Sequence, residues 1–225
     1  MEQFTIEQTP AEIVKLFPKA SDIFKLREIN FCCRGDQPLI DVVKKQRMDG
    51  DVLLTELNNA YKEWYKEEQS TTDWDQISPS DLINYITSAY LNNFKNELPA
   101  LSGFVTRVYN VHGNRDPHLE ELYRLYHLLK TEMEEHIAEE ENKVFPLIKE
   151  GEASKAKIQE LNSKWKNKYD AMVDLLEQIK KITKDFTPPE GACNTYQMTY
   201  ARLAELESET LDYIHLENNI LLTKI

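Results

Sequence analysis

The chain is short of the residues that bend, cross-link or embed a polypeptide. Its 225 residues include 6 Gly and 9 Pro, and Leu, Glu, Lys and Ala are abundant, a mixture that favours helix. No stretch reads convincingly as a β-strand, and no solenoid-length repeat is present. No apolar run approaches the roughly 18 residues that a membrane-spanning helix needs. The N-terminus carries no signal-peptide pattern, so the cytoplasm is the expected compartment. Three cysteines, two of them adjacent, cannot build a disulfide framework. Cys32 and Cys33 would close only a strained ring, which favours reduced thiols in a reducing compartment. Basic residues are outnumbered, 27 Lys and Arg against 39 Asp and Glu, for a net charge of −12. That balance excludes nucleic acid and anionic membranes as expected partners, because both need clustered positive charge. The acidic residues are scattered along helical patterns, as on a solvated helix surface.

Two regions emerge from the patterning. Residues 1–68 contain short helical segments: one opened by Pro10 and stopped by Pro18, one following Ser21, then Leu39 to Arg47 and Val52 to Glu67. A polar stretch over 69–79 reads as a linker, with Trp74 pinning it to one domain. Four long amphipathic patterns fill 80–225: Ser80 to Val111, with Pro99 expected to kink or break it; Pro117 to Lys149; Glu152 to Lys184; and Thr195 to Leu222. Short connections between long helices imply an up-down four-helix bundle. The expected fold is all-α, a small cysteine-bearing domain followed by a four-helix bundle.

His136 and Glu140 carry the chemistry. Residues four apart on a helix lie on one face, one turn apart, so the pair can offer a nitrogen and a carboxylate oxygen to one metal centre. Tyr213 and Glu217 repeat the spacing, with a phenol in place of an imidazole. The competing reading of His136 and Glu140 is a satisfied polar pair in a metal-free core.

Three motifs occur in order: Phe31-Cys32-Cys33-x-Gly35; His136-x-x-x-Glu140 followed by Val144-Phe145-Pro146; and Leu216-Glu217-Asn218-Asn219. With Thr187-Pro188-Pro189-Glu190-x-Ala192-Cys193, they make the chain resemble the iron–sulfur cluster repair proteins, the repair-of-iron-centres family of ScdA/YtfE type, over nearly its whole length. The resemblance implies a haemerythrin-like four-helix bundle holding a non-haem di-iron centre with His ligands and bridging Glu carboxylates. It also implies a role in restoring iron–sulfur clusters damaged by nitric oxide or oxidants. Damaged iron–sulfur proteins would be the partners, and a homodimer is compatible with it. Carried over residue by residue, His136 is a terminal ligand, and Glu140 and Glu217 are the bridging carboxylates. Three further His positions of the family fall on Leu91, Tyr169 and Tyr213. Leu91 has no ligand atom, whereas a tyrosinate can ligate ferric iron, which keeps Tyr169 and Tyr213 as further candidates beside His112.

Of the other histidines, His215 lies about 200° around the helix from Tyr213 and Glu217 and is expected to face solvent. His118 and His127 are not spaced from His136 by whole turns and read as surface or interhelix residues. Cys32 and Cys33 are the redox candidates, with a structural pair as the alternative. Arg34 stands where the family usually has Gly, so it would either strain the turn, if φ there is positive, or activate a neighbouring thiol. Cys193 reads as a packing residue. Two functions stay open: a di-iron-type repair protein, or a metal-free member acting as a scaffold or thiol-based, nitric-oxide-responsive interaction protein. Oxygen carriage would need more imidazoles than the chain has.

Overall fold

The computed structural model describes residues 4–67, 74, 76–151 and 155–225. Most of the linker expected over 69–79 lies outside them, although Trp74 is buried. Among the described residues there are helices and no strands. Contacts divide them into two compact units, one running to Ser78 and including Ile214–Lys224, the other Pro79–Tyr213. The boundary between the units falls within the last long helix, whose final turns, Ile214–Lys224, group with the first unit.

The first unit contains α1 (Pro10–Leu16), α2 (Ala20–Leu26), α3 (Leu39–Gln46) and α4 (Gly50–Glu67). Thr9 caps α1 in a reciprocal box with Glu12, so two otherwise unpaired backbone N–H groups are satisfied. Tyr61 on α4 touches the rings of Phe4, Phe17 and Trp64, which together form the apolar centre of the unit. Between α2 and α3 runs the cysteine loop. Asn30 organises it by accepting hydrogen bonds at Oδ1 from the backbone N–H groups of Cys32 and Arg34, at 3.2 and 3.0 Å.

The second unit begins with α5 (Pro79–Ile86), which passes through a π turn, Thr87–Leu91, into α6 (Asn92–His112). The helix α7 (His118–Glu139) runs through a second π turn, Glu140–Val144, into the short α8 (Phe145–Lys149). Then come α9 (Lys155–Ile182) and α10 (Asn194–Leu216), the latter ending in a third π turn, Glu217–Leu221. Pro99 does not break the first bundle helix: it sits inside α6, which continues for thirteen residues to His112. A single missing backbone donor is tolerated there, and the departure from α geometry falls earlier, at Thr87–Leu91.

Helix α7 packs against both α6 and α9, burying Leu122, Leu125, Leu129, Met133 and Ile137 at helical spacing. Ion pairs pin the periphery. Arg202 on α10 grips Glu97 on α6 with two parallel hydrogen bonds of 2.7 and 2.6 Å, the geometry in which guanidinium and carboxylate match best. Glu139 on α7 takes Lys164 and Lys168 from α9; the two ammonium groups, Lys164 foremost, lower its carboxyl to about 2.

Candidate metal centre

Each of the three π turns falls on a position where a metal ligand was expected. One ends at Leu91, one begins at Glu140, and one begins at Glu217. A π turn inserts an extra residue, so it shifts the angular phase of the side chains on either side of it and recurs at functional sites. Leu91 occupies such a turn although it has no donor atom.

His136, Glu140 and Glu217 come together in the interior. One ligand atom from each lies within 4.8 Å of the others, and all three residues are 0% exposed. Nε2 of His136 is 2.8 Å from Oε1 of Glu140. The same oxygen accepts a 2.6 Å hydrogen bond from the Tyr213 phenol. Rings surround the imidazole: Trp165 and Tyr169 stand edge-on to His136 at centroid distances of 5.1 and 5.2 Å, with Tyr213 at 6.4 Å. Trp165 and Tyr169 are four apart on α9 and therefore share its inner face. That spacing is visible in the sequence, but indole is not a metal ligand and nothing local marks Trp165 as part of the site. Phe94 packs edge-on against Tyr213 at 5.6 Å.

Two carboxylates this close and this deeply buried repel each other and are costly to desolvate, unless a cation or protons compensate them. One imidazole and two carboxylates around a common point suit a divalent ion, so the donor set fits metal binding. It does not fit a pair of ions. Leu91 is fully buried and offers nothing, and the Tyr213 proton is already committed to Glu140.

The remaining candidates lie elsewhere. Nε2 of His112 is 3.4 Å from Sγ of Cys193, and the His112 ring lies against Tyr196, so His112 is engaged outside the buried group. His118 and His127 bridge helices: His118 Nε2 is 2.8 Å from the Tyr200 hydroxyl, and His127 Nε2 is 3.0 Å from Ser102 Oγ. His215, expected in solvent, is instead 3% exposed. Its ring packs against Phe31 at 5.8 Å, and its Nδ1 lies 3.3 Å from the Phe31 carbonyl and 3.1 Å from the Asn219 amide. Burial lowers its pKa to about 4. Turning away from the carboxylates aims His215 at the cysteine loop rather than at water.

Cys32 and Cys33 are both buried thiols, not joined in a disulfide, with their sulfurs 3.9 Å apart. The Cys33 thiol and burial raise the Cys32 pKa well above its ordinary value, the opposite of activation. Arg34 is exposed and is not among the residues of positive φ, so the strain expected of it does not arise. The steric demand falls one residue later, where a Cβ on Gly35 would meet the Phe31 carbonyl oxygen at 2.3 Å. The Asn218 and Asn219 amides donate to the Cys32 carbonyl at 3.1 and 2.8 Å, fastening the loop to the C-terminal turn. Both asparagines stood in the motif without an assigned role. Cys193, read as a packing residue, is exposed.

A helical bundle with a buried His–Glu–Glu group is a cation-binding bundle. Residues 92–225 match the family model described as the hemerythrin HHE cation binding domain, and residues 6–61 match a domain of unknown function, DUF542 (ScdA_N). The iron-sulfur cluster repair protein ScdA of Staphylococcus haemolyticus is 34% identical over 222 residues, covering 98% of each chain. The corresponding ScdA of Staphylococcus epidermidis is 33% identical, covering 98% of this chain and 99% of its own. The iron-sulfur cluster repair protein YtfE of Yersinia pseudotuberculosis is 32% identical, covering 91% of this chain and 90% of its own. The chain belongs to this ScdA/YtfE family of hemerythrin-type proteins.

Proposed function

We propose that this protein takes part in repairing iron–sulfur clusters damaged by oxidative or nitrosative stress, acting on damaged iron–sulfur proteins in general. The observation that carries this reading is joint. The chain is similar along its whole length to proteins named for cluster repair, and His136, Glu140 and Glu217 retain a buried donor set in its interior. In this reading the metal is iron, which suits mixed imidazole and carboxylate ligation. Bound there, iron supplies a redox-active centre shielded from bulk water.

The chain's own residues do the rest. His136 supplies the nitrogen donor, and the rings of Trp165 and Tyr169, packed nearly perpendicular to it, fix its orientation. Glu140 and Glu217 supply the charge that holds a cation, and the Tyr213 phenol orients the Glu140 carboxylate through its hydrogen bond. Such outer contacts commonly change metal affinity by about 10–100-fold when removed. No helix among the described residues is long and apolar enough to cross a membrane.

The test is recovery of a purified [4Fe–4S] hydratase inactivated by nitric oxide, incubated anaerobically with ferrous iron, sulfide and a thiol reductant. Added protein should speed the return of activity, and the His136→Ala variant should not. Equal recovery with wild type, variant and no protein would exclude the reading.

A further inference from the structure

We infer that the buried group of this chain holds one metal ion rather than two. This rests on the iron-binding reading above and departs from the two-ion centre that the resemblance implies.

A second ion would need its own donors and its own space. The described residues supply three ligating side chains at the group, and no other cluster of three His, Cys, Asp or Glu donors occurs among them. The three positions at which further imidazoles were expected hold Leu91, Tyr169 and Tyr213. All are buried, at 0%, 0% and 1% exposure. Leu91 presents carbon alone. The Tyr169 ring packs nearly perpendicular to that of His136, and the Tyr213 phenol donates to Oε1 of Glu140.

Charge points the same way. Two carboxylates balance one divalent ion, whereas two divalent ions would leave a net charge of +2 beside the rings of Trp165, Tyr169 and Tyr213, an uncompensated buried charge of the costly kind. The π turn at Thr87–Leu91 keeps its geometry with a leucine at its end. There a buried apolar side chain stands in the sequence position at which the resemblance implies a donor.

The experiment is anaerobic equilibrium dialysis of the full chain against ferrous iron, with bound metal counted per chain, alongside electron paramagnetic resonance of the manganese(II)-loaded protein. One ion per chain is expected at saturation, with the resonance of an isolated manganese(II) ion. Two ions per chain, or a spin-coupled pair signal, would overturn the inference while leaving the iron-binding reading intact. No bound ion in either experiment would overturn both. Glu217→Gln is expected to weaken binding at least 10-fold; unchanged binding would show that the counted ion sits elsewhere and would overturn the assignment.

Discussion

The Tyr213 phenol donates a 2.6 Å hydrogen bond to Oε1 of Glu140, the same oxygen that lies 2.8 Å from Nε2 of His136. The phenol at a position where an imidazole was expected thus supports a buried carboxylate. Hydrogen bonds to charged groups contribute about 1.5–3 kcal/mol. Tyr213→Phe should therefore destabilise the metal-free protein by about that amount in urea unfolding. The loss should shrink with iron bound, because the ion then compensates the carboxylate.

The reactive thiol should be Cys193. It is exposed, its sulfur is 3.4 Å from Nε2 of His112, and its carbonyl begins α10 by accepting from Gln197 N–H at 3.0 Å. The imidazole can take the thiol proton as the sulfur attacks an electrophile. An aromatic disulfide reagent should titrate one fast thiol in the native protein and three after denaturation. Cys193→Ser should remove the fast phase, and Cys32→Ser should leave it unchanged.

His215 should make stability fall on mild acidification. Its folded pKa of about 4 lies below the ordinary value near 6.5, so between these pH values the unfolded chain binds the extra proton. Stability then decreases as pH falls from 6.5 toward 4, with a slope of up to ~1.4 kcal/mol per pH unit from this residue. Urea unfolding across that window should show the decline, and His215→Gln should flatten it. Glu139, lowered to about 2 by Lys164 and Lys168, acts in a separate and more acidic window. Its contribution is present above about 4.5 and is lost as pH falls toward 2.

The cysteine loop should tolerate change at Arg34 and resist it at Gly35. A Cβ at Gly35 would meet backbone atoms of Phe31, which cannot swing aside as a side chain can. Gly35→Ala should cost about 2 kcal/mol or more in urea unfolding, whereas Arg34→Gly should stay within about 1 kcal/mol.

Much of this was legible in the sequence because apolar periodicity and proline placement are local. The expected helices match α1 to α10 closely, and one ligand atom from each of His136, Glu140 and Glu217 lies within 4.8 Å of the others. The π turns were not legible, since they change hydrogen-bond register without a distinctive composition. His215 shows a second kind of limit. Helical geometry told correctly that it turns away from Glu217, but what lies on that side is a loop more than 180 residues earlier in the chain. Its exposure depends on that distant loop. The burial of the vicinal thiols, which raises the Cys32 pKa, is likewise a tertiary property that the sequence does not display.

The central claim, that residues from α7 and the end of α10 jointly hold a metal ion, is tested most directly by anaerobic thermal unfolding with and without saturating ferrous iron. Binding to the native state alone at 100 times Kd stabilises by about 2.7 kcal/mol, which in a chain of this size raises Tm by roughly 5–10 °C. The wild type should show that rise and Glu217→Gln should lose most of it. An equal rise in both proteins, or none in either, would contradict the account.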